Sequence, residues 1–549
     1  VAARQLDDDA LLGAESVAAG GAVTEMQPAA TVRAGRGMVC SVDHLASQAG
    51  VAMLRAGGTA VDAAVATSAV LSVTSPHLCG MGGDLMAVVV VSGADPVAMN
   101  ASGRAGSGAD AARLRAEGHA VMPLHGDIRS VTVPGCVDGW LALHERFGAL
   151  PLAEVLAPAR SYALDGFPAS PTLASSVPRV AALPEAADLT SSGPVAPGTW
   201  LRRPGVARAL SAITAQGRAG FYQGEFGEGL LALGHGEFTE DDLLTPQAEW
   251  VDALGVDAWG RRLWTVPPNS QGYLTLASAW IASGLDLPPD VTDPLWPHLL
   301  VEASRQAGHD RLAVLHESAK GHALLDPGTL GERRARIDPS HAVALGDTYR
   351  SGDTVALCAV DRNRMGVSLL QSNASGFGAH IVVPGVRIFL HNRGVGFSLE
   401  AGHPGELGPR RRPPHTLSPV AVTNLDGGLR AVAGTMGGDG QPQILLQILA
   451  RYLVNDQEPG PVVAAGRWVL TGGPTGFDTW HDGADRMTVL IEGHAPPTWA
   501  DGLSRRGHRV EMADEFSHAF GHAHLIVAED DYLSAGTDPR PRFGSAAGY

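Results

Sequence analysis

Leu85-Met86-Ala87-Val88-Val89-Val90-Val91 is a run of seven apolar residues with no polar alternation. A short continuous run rich in valine is the pattern of a strand buried on both faces, so apolar layers must lie on each side of the sheet that contains it. The chain has the material for such layers. Of its 549 residues, 45% are hydrophobic and 18% charged, which excludes a largely disordered polymer and allows a large core. No uninterrupted apolar stretch reaches about 18 residues, so no membrane-spanning helix is expected.

Elements of both kinds interleave around that run. Residues 1–35, rich in Ala, Gly and acid, read as a loosely ordered leader, with regular structure expected from the apolar strand GMVCSV at 37–42. HLASQAGVAMLRAGGTAVDAAVATSAVLSV (44–73) has apolar positions at helical spacing, interrupted by Gly57-Gly58, and predicts two helices joined by a glycine turn. SPHLCGMGGDL (75–85) is a loop feeding the apolar run. The middle third is expected to be mostly helix and loop, with breaks such as VPGCVDGW (133–140) and PPNSQG (267–272). At 354 the texture changes. TVALCAVD (354–361) and MGVSLLQS (365–372) flank the polar turn Arg362-Asn363-Arg364, which predicts a hairpin. Further strands are expected at VPGVRIFL (core 384–390), LSPVAVTNL and LRAVAGTMGG. Helices are expected at 441–454 and in APPTWADGLSRRG. The class is α/β or α+β with a layered sheet.

Composition removes several chemistries. The net charge is −17, from 40 basic and 57 acidic residues, and an acidic surface repels phosphate backbones, so nucleic acid is not an expected partner. Lys320 is the sole lysine. No GxxxxGK[ST] phosphate loop exists, and Schiff-base chemistry would rest on that residue, in the bland segment HESAKGHALL. Cys40, Cys79, Cys136 and Cys358 form no CxxC pair, which suits neither a disulfide scaffold nor a zinc ribbon. Gly521-His522-Ala523-His524 lacks the accompanying ligand spacing of a zinc site, so no metal is expected. There is no GxSxG nucleophile elbow, no GxGxxG after a strand, and no carboxylate pair that stands out. The acidic N-terminus, VAARQLDDDALLGAES, has no basic segment before an apolar one, so no export signal is read and a cytoplasmic location is expected. The initial Val leaves the true start open.

The hairpin carries the sharper possibility. Were the Asp353–Thr354 bond cut, Thr354 would become an N-terminus at the head of a strand, holding a hydroxyl and an α-amine in one residue. A threonine hydroxyl needs an adjacent base to attack. An α-amine, with a pKa of about 7.7–8.0, is well matched to general-base work near neutrality. Locally, the plainer reading of Thr354 is the first residue of an edge strand after a Gly-Asp turn.

A set of ordered strings extends beyond the local pattern. HLASQAGVAMLRAGGTAVDAAVA and SPHLCGMGGDLMAVV resemble the opening signature of the γ-glutamyltransferase (γ-glutamyltranspeptidase) family of N-terminal-nucleophile hydrolases. GDTVALCAVD resembles its processing-site block. QSNASGFGAHIVVPG, FLHNRGVGFS, RRPPHTLSPV, GTMGGDGQPQ, GHAHLIV and GTDPRPRFGSAAGY follow in the family's order, so the resemblance covers roughly residues 30–549. It implies an α+β fold, the four-layer αββα sandwich of the N-terminal-nucleophile hydrolases. It further implies a precursor cleaved between Asp353 and Thr354. The products would be a large-subunit segment, 36–353 after the leader, and a small-subunit segment, 354–549, intertwined as one catalytic unit. Thr354 would be the nucleophile, with Ser372, eighteen residues on, as the hydroxyl that orients it. Gly437 and Gly438 would direct backbone N–H groups at the oxyanion, where each donor is typically worth about 2.7–4 kcal/mol of barrier. Their plain alternatives are a strand serine and a tight turn. No cofactor is implied.

Departures from the family pattern bear on substrate. In its best-known members an Asn, a Gln and an acidic residue hold the α-amino group of a γ-glutamyl moiety. Here the corresponding stretches are Asn373-Ala374 and Asn392-Arg393-Gly394-Val395-Gly396. No carboxylate is expected to face that position, and an ammonium is poorly served beside Arg393. A serine pair contacting the α-carboxylate is replaced by His415-Thr416, which can still donate hydrogen bonds. Arg104, about two residues out of register with the family's carboxylate-binding arginine, is either a bidentate clamp or a surface residue. The expected function is an autoprocessing threonine amidohydrolase/acyltransferase. Its small-molecule substrates would be γ-glutamyl, glutathione-like amides or related carboxylate-bearing amides. The alternatives are a small-substrate enzyme such as an oxamate amidohydrolase, or an inactive, unprocessed homologue that binds a metabolite.

Overall fold

A computed structural model describes residues 29–190, 193–345, 354–471 and 487–549. Two seven-stranded sheets form its centre. In sheet I the strand order is Ser545–Gly548, Met38–Ser41, Val355–Val360, Gly366–Ser372, Asp84–Val90, Val97–Ala101 and Glu249–Asp252. In sheet II it is Val32–Ala34, Leu533–Thr537, Ala523–Ala528, Leu429–Thr435, Val420–Thr423, Arg261–Thr265 and Leu254–Ala258. All neighbouring strands within these two sheets are antiparallel.

The period of two along each strand sorts side chains into three apolar layers. Val355, Leu357 and Ala359 pack outward against helices that include His44–Arg55 and Ala60–Thr74. Ala356, Cys358 and Val360 face the opposite way, into a core shared with Val432, Ile526 and Ala535 of sheet II. On its far side, sheet II packs Ala431, Ala433 and Leu525 against helices that include Tyr273–Ser283 and Gln441–Leu453. This is the αββα sandwich. The valine-rich run forms Asp84–Val90, an interior strand buried at every position.

The helix pair has explicit start signals. Asp43 accepts the Leu45 N–H, and Thr59 with Asp62 forms a reciprocal capping box. The hairpin turn is held by Asp361 Oδ1, which accepts the N–H groups of Asn363 (2.8 Å) and Met365 (3.1 Å). Two boundaries differ from expectation. Val32–Ala34, assigned to the leader, pairs with Leu533–Thr537, and the leader's first 28 residues lie outside the described ones. The strand expected over 384–390 is confined to Ile388–Leu390, because Pro384 and Gly385 (φ 76°) turn the chain back onto Ile381–Val383. Asp353 also lies outside the described residues. Among the described residues no helix is long and apolar enough to cross a membrane.

Candidate active site

Thr354 stands immediately before Val355–Val360 and is fully buried. By alternation it faces the inter-sheet layer, like Ala356. Val355 pairs with Gln371, so the register brings Thr354 beside Ser372, and the two hydroxyl oxygens are 3.2 Å apart. Ser372 Oγ also accepts the Ala374 N–H at 2.8 Å, which fixes its rotamer.

The glycine pair arrives at the same place from sheet II. A Cβ at Gly434 would lie 3.1 Å from Ala356 Cβ and 3.2 Å from Leu370 Cδ1. Gly434 is thus the point where the two sheets approach closely. Ser368 donates to Ala433 O (2.7 Å), a Cβ at Gly366 would meet Leu429 at 2.8 Å, and one at Gly434 meets Leu370 as above, so Gly366–Ser372 and Leu429–Thr435 run the same way and finish at one end of the sandwich. Gly437 and Gly438 follow directly, both buried and both at positive φ, 135° and 51°, which favours glycine. Gly437 O accepts the Gly440 N–H at 2.9 Å. Among the described residues no acceptor is found for the N–H of Gly437 or of Gly438. Two backbone donors are therefore available at the end of the sandwich where Thr354 lies.

A third component joins them. Asp84 is directly opposite Ser372 in the sheet, so their side chains are neighbours on one face, with Cβ atoms typically about 4.5–5.5 Å apart. Asp84 Oδ2 accepts from Arg393 Nε (2.6 Å) and His415 Nε2 (2.9 Å). His415 Nδ1 accepts the Leu417 N–H at 3.1 Å, which assigns the ring proton to Nε2 in a neutral imidazole. Burial and the adjacent Arg393 push His415 down to about 4. Burial alone would raise the Asp84 carboxyl, but Arg393 and His415 more than offset it and hold the group well below the usual range. The expectation that no carboxylate faces this position is therefore corrected: Asp84, the first residue of the strand Asp84–Val90 and 309 positions away in the chain, neutralises Arg393.

From Arg393 the wall continues. Its Nη1 donates to Thr416 Oγ1 at 3.1 Å. Gln271 Nε2 donates to both Thr416 O and Gly438 O, each at 2.9 Å. Arg311 holds the next residue, Asp439, at 2.7 Å. The PPNSQG segment is zipped to the strip containing His415: His415 N donates to Asn269 O, Gln271 N to His415 O, and Ser270 Oγ to Leu417 O, at 2.7–2.8 Å. A continuous polar wall thus links the hydroxyl pair to the glycine turn. Among the described residues, four of its side-chain atoms are buried with no partner: Asp84 Oδ1, Arg393 Nη2, Gln271 Oε1 and Arg311 Nε.

The other expected site residues lie differently. Asn373 ties the loop before the valine run: its N–H donates to Leu78 O (3.0 Å) and its Nδ2 to Pro76 O (3.1 Å). Arg104 is 30% exposed and shared between Glu249 (3.4 Å) and Glu317 (3.5 Å). It joins none of the contacts around Thr354. Behind the glycine turn, Met436 N donates to His522 O (3.3 Å). His522 and His524 are buried there, burial holding the first well below the usual imidazole range and the second near 4. Among the described residues no group of three His, Cys, Asp or Glu side chains is arranged to hold a metal.

Asp84 and Gln271 escape a reading of the sequence. The available signals were a lone acid heading an all-apolar run, and a glutamine in a segment that reads only as a break between elements.

The comparisons agree with this architecture. The family profile described as gamma-glutamyltranspeptidase matches residues 46–549. The oxamate amidohydrolase proenzyme of Klebsiella pneumoniae is 35% identical over 93% of this chain and 98% of that protein. A glutathione hydrolase-like proenzyme of Bacillus subtilis is 34% identical over 92% and 97%. The crystal structure of cephalosporin acylase from Bacillus halodurans superposes with a TM-score of 0.87 at 31% identity, covering 97% of this chain and 99% of that one. By profile, by relatives and by fold, the chain belongs to the γ-glutamyltranspeptidase family of N-terminal-nucleophile hydrolases.

Proposed function

We propose that the chain is an autoprocessing amidohydrolase/acyltransferase in which Thr354 is the nucleophile and the acyl part of the substrate carries a carboxylate. Hydrolysis of the Asp353–Thr354 peptide by one water leaves a carboxylate on Asp353 and an α-amine on Thr354. That amine takes the Thr354 hydroxyl proton as Oγ bonds to the substrate's amide carbon. The resulting oxyanion is met by the N–H groups of Gly437 and Gly438. The proton passes to the amide nitrogen, the C–N bond breaks, and an acyl ester remains on Thr354. Water, or an acceptor amine, then resolves the ester and restores the hydroxyl.

The observation that carries this reading is the buried Thr354–Ser372 hydroxyl pair, 3.2 Å apart, at the sandwich end where two glycine N–H groups have no acceptor among the described residues. The proenzyme relatives named for oxamate and glutathione hydrolysis support both the processing and a small carboxylate-bearing amide. Mass mapping of the active preparation tests it. The shorter fragment is expected to begin at Thr354, and catalysis by an uncut chain, or a fragment starting elsewhere, would overturn the assignment.

A further inference from the structure

Asp439 directly follows the glycine pair and brings a charge to the part of the site that must receive a new anion. It stands in the tight turn Gly438–Gly440, just ahead of the helix Gln441–Leu453. The positive end of a helix favours an anion. The Asp439 carboxylate and an oxyanion on the N–H groups of Gly437 and Gly438 would therefore draw on the same field. They would also repel each other, and removal from water strengthens that repulsion. An aspartate at this position opposes the step that the glycines assist unless its charge is cancelled.

Arg311 supplies the cancelling charge. Its Nη2 donates to Asp439 Oδ1 at 2.7 Å, and both residues are buried. The arginine is itself anchored. The preceding Asp310 pairs with Arg333 at 2.5 Å, and Arg333 Nη1 donates to Gln306 O (3.0 Å) and Ala307 O (3.2 Å) near the end of the helix Leu295–Gly308. Gln271 holds Gly438 through its carbonyl, so consecutive residues of the turn are gripped from two separate segments. We propose that Arg311 is a positioning residue for the oxyanion turn. It pins Asp439, and it cancels the carboxylate's charge beside the forming anion. This extends the reading of Thr354 as nucleophile and rests on the glycine pair as the oxyanion donors.

The sign of the effect separates this role from a merely structural one. Breaking a buried ion pair from either side costs stability, so Arg311→Gln and Asp439→Asn should both lower the urea midpoint of the processed enzyme. Their rates should diverge. Arg311→Gln leaves the carboxylate beside the oxyanion without its arginine. Its kcat on oxamate or γ-glutamyl anilide should fall about tenfold, less than the 10²–10³ lost with a whole donor, and KM should stay nearly unchanged. Asp439→Asn keeps an acceptor for Arg311 and removes only the negative charge, so kcat should rise. The double variant, neutral at both positions, should lie between the two and within about threefold of the wild type. It also serves if Arg311→Gln fails to fold, because it differs from Asp439→Asn by the Arg311 charge alone and should be the slower of the two. Equal falls of kcat in the two single variants, or a double variant faster than Asp439→Asn, would overturn the charge-cancelling role. Turnover by Thr354→Ala would instead overturn the nucleophile, whatever the charge variants did.

Discussion

Two buried regions meet at the end of the sandwich, and they are built from opposite materials. The reacting region, Thr354, Ser372 and the glycine turn, has no charged side chain among its members. The reading region, Asp84, Arg393 and His415, centres on an ion pair whose members are each no more than 2% exposed. Neutral hydroxyls and amides can be buried for little once hydrogen-bonded, whereas a buried ion pair requires complete partnering to be tolerated. Its incomplete partnering is therefore the stronger pointer to a ligand. The difference teaches that chemistry and specificity should be separable by mutation.

The largest effect should come from the reacting side. Thr354→Ala is expected to abolish both chain cleavage and amide turnover, a loss on the order of the 10⁶-fold seen when a catalytic nucleophile is removed. The protein should remain soluble, since one hydroxyl and one methyl leave a small cavity. Denaturing electrophoresis and product release measure the two losses, and a cleaved variant would break the assignment.

Gln271 joins the two regions, so its replacement should register next. Gln271→Leu removes the donor to Gly438 O and Thr416 O together, freeing the glycine turn to reorient. A lost oxyanion donor is worth about 10²–10³ in kcat, and a loosened one should lose less, about tenfold, with KM nearly unchanged. Stability measured alongside distinguishes this from unfolding. A change confined to KM would move Gln271 out of the reacting region and sharpen the boundary between the two.

The unequal legibility of these regions in the sequence has a physical cause. Thr354 and Ser372 belong to one hairpin, whose alternation and Asp361-led turn are local signals. Gly437 and Gly438 precede a helix with a clear 3.6 period. Their spacing survives in the chain itself. Asp84 meets Arg393 only because the strip before it is tied to both strand ends, His391 N to Gly82 O and Asn392 N to Asn373 O, and Gln271 meets Gly438 only through the stacking of whole elements. Registers of that kind leave no mark in either segment alone. The same limit explains the overlong strand at 384–390, where apolar residues continued through a Pro-Gly turn.

Acidification should act on the reading region before the reacting one. His415 has a folded pKa of about 4 against about 6.5 when unfolded. The unfolded chain therefore binds the extra proton between those values. Its contribution to stability is complete above pH 6.5 and is lost as the pH falls toward 4, with a slope of at most about 1.4 kcal/mol per pH unit. The depressed Asp84 carboxyl acts in the same direction, at lower pH. Urea midpoints measured across this range should fall, and His415→Gln, which keeps a donor for Asp84, should flatten the fall. A variant as steep as the wild type would assign the dependence to His524 and the other buried imidazoles.

The smallest effect is expected at Arg104, and it completes the contrast between two arginines. Both stand in the family's substrate-binding strings, and both contact carboxylates. Arg393 is buried on one carboxylate with a donor to spare, while Arg104 is 30% exposed and divided between two glutamates at 3.4 and 3.5 Å. Pairs so exposed and so long are each worth about 0–1 kcal/mol. Arg104→Ala should therefore shift KM for a carboxylated amide by less than about threefold, within the worth of a single exposed pair. Titration of initial rates against substrate gives the answer. A large rise in KM would mean that Arg104 leaves its glutamates for the substrate, and the anion would then be read from the rim of the site as well as from its floor.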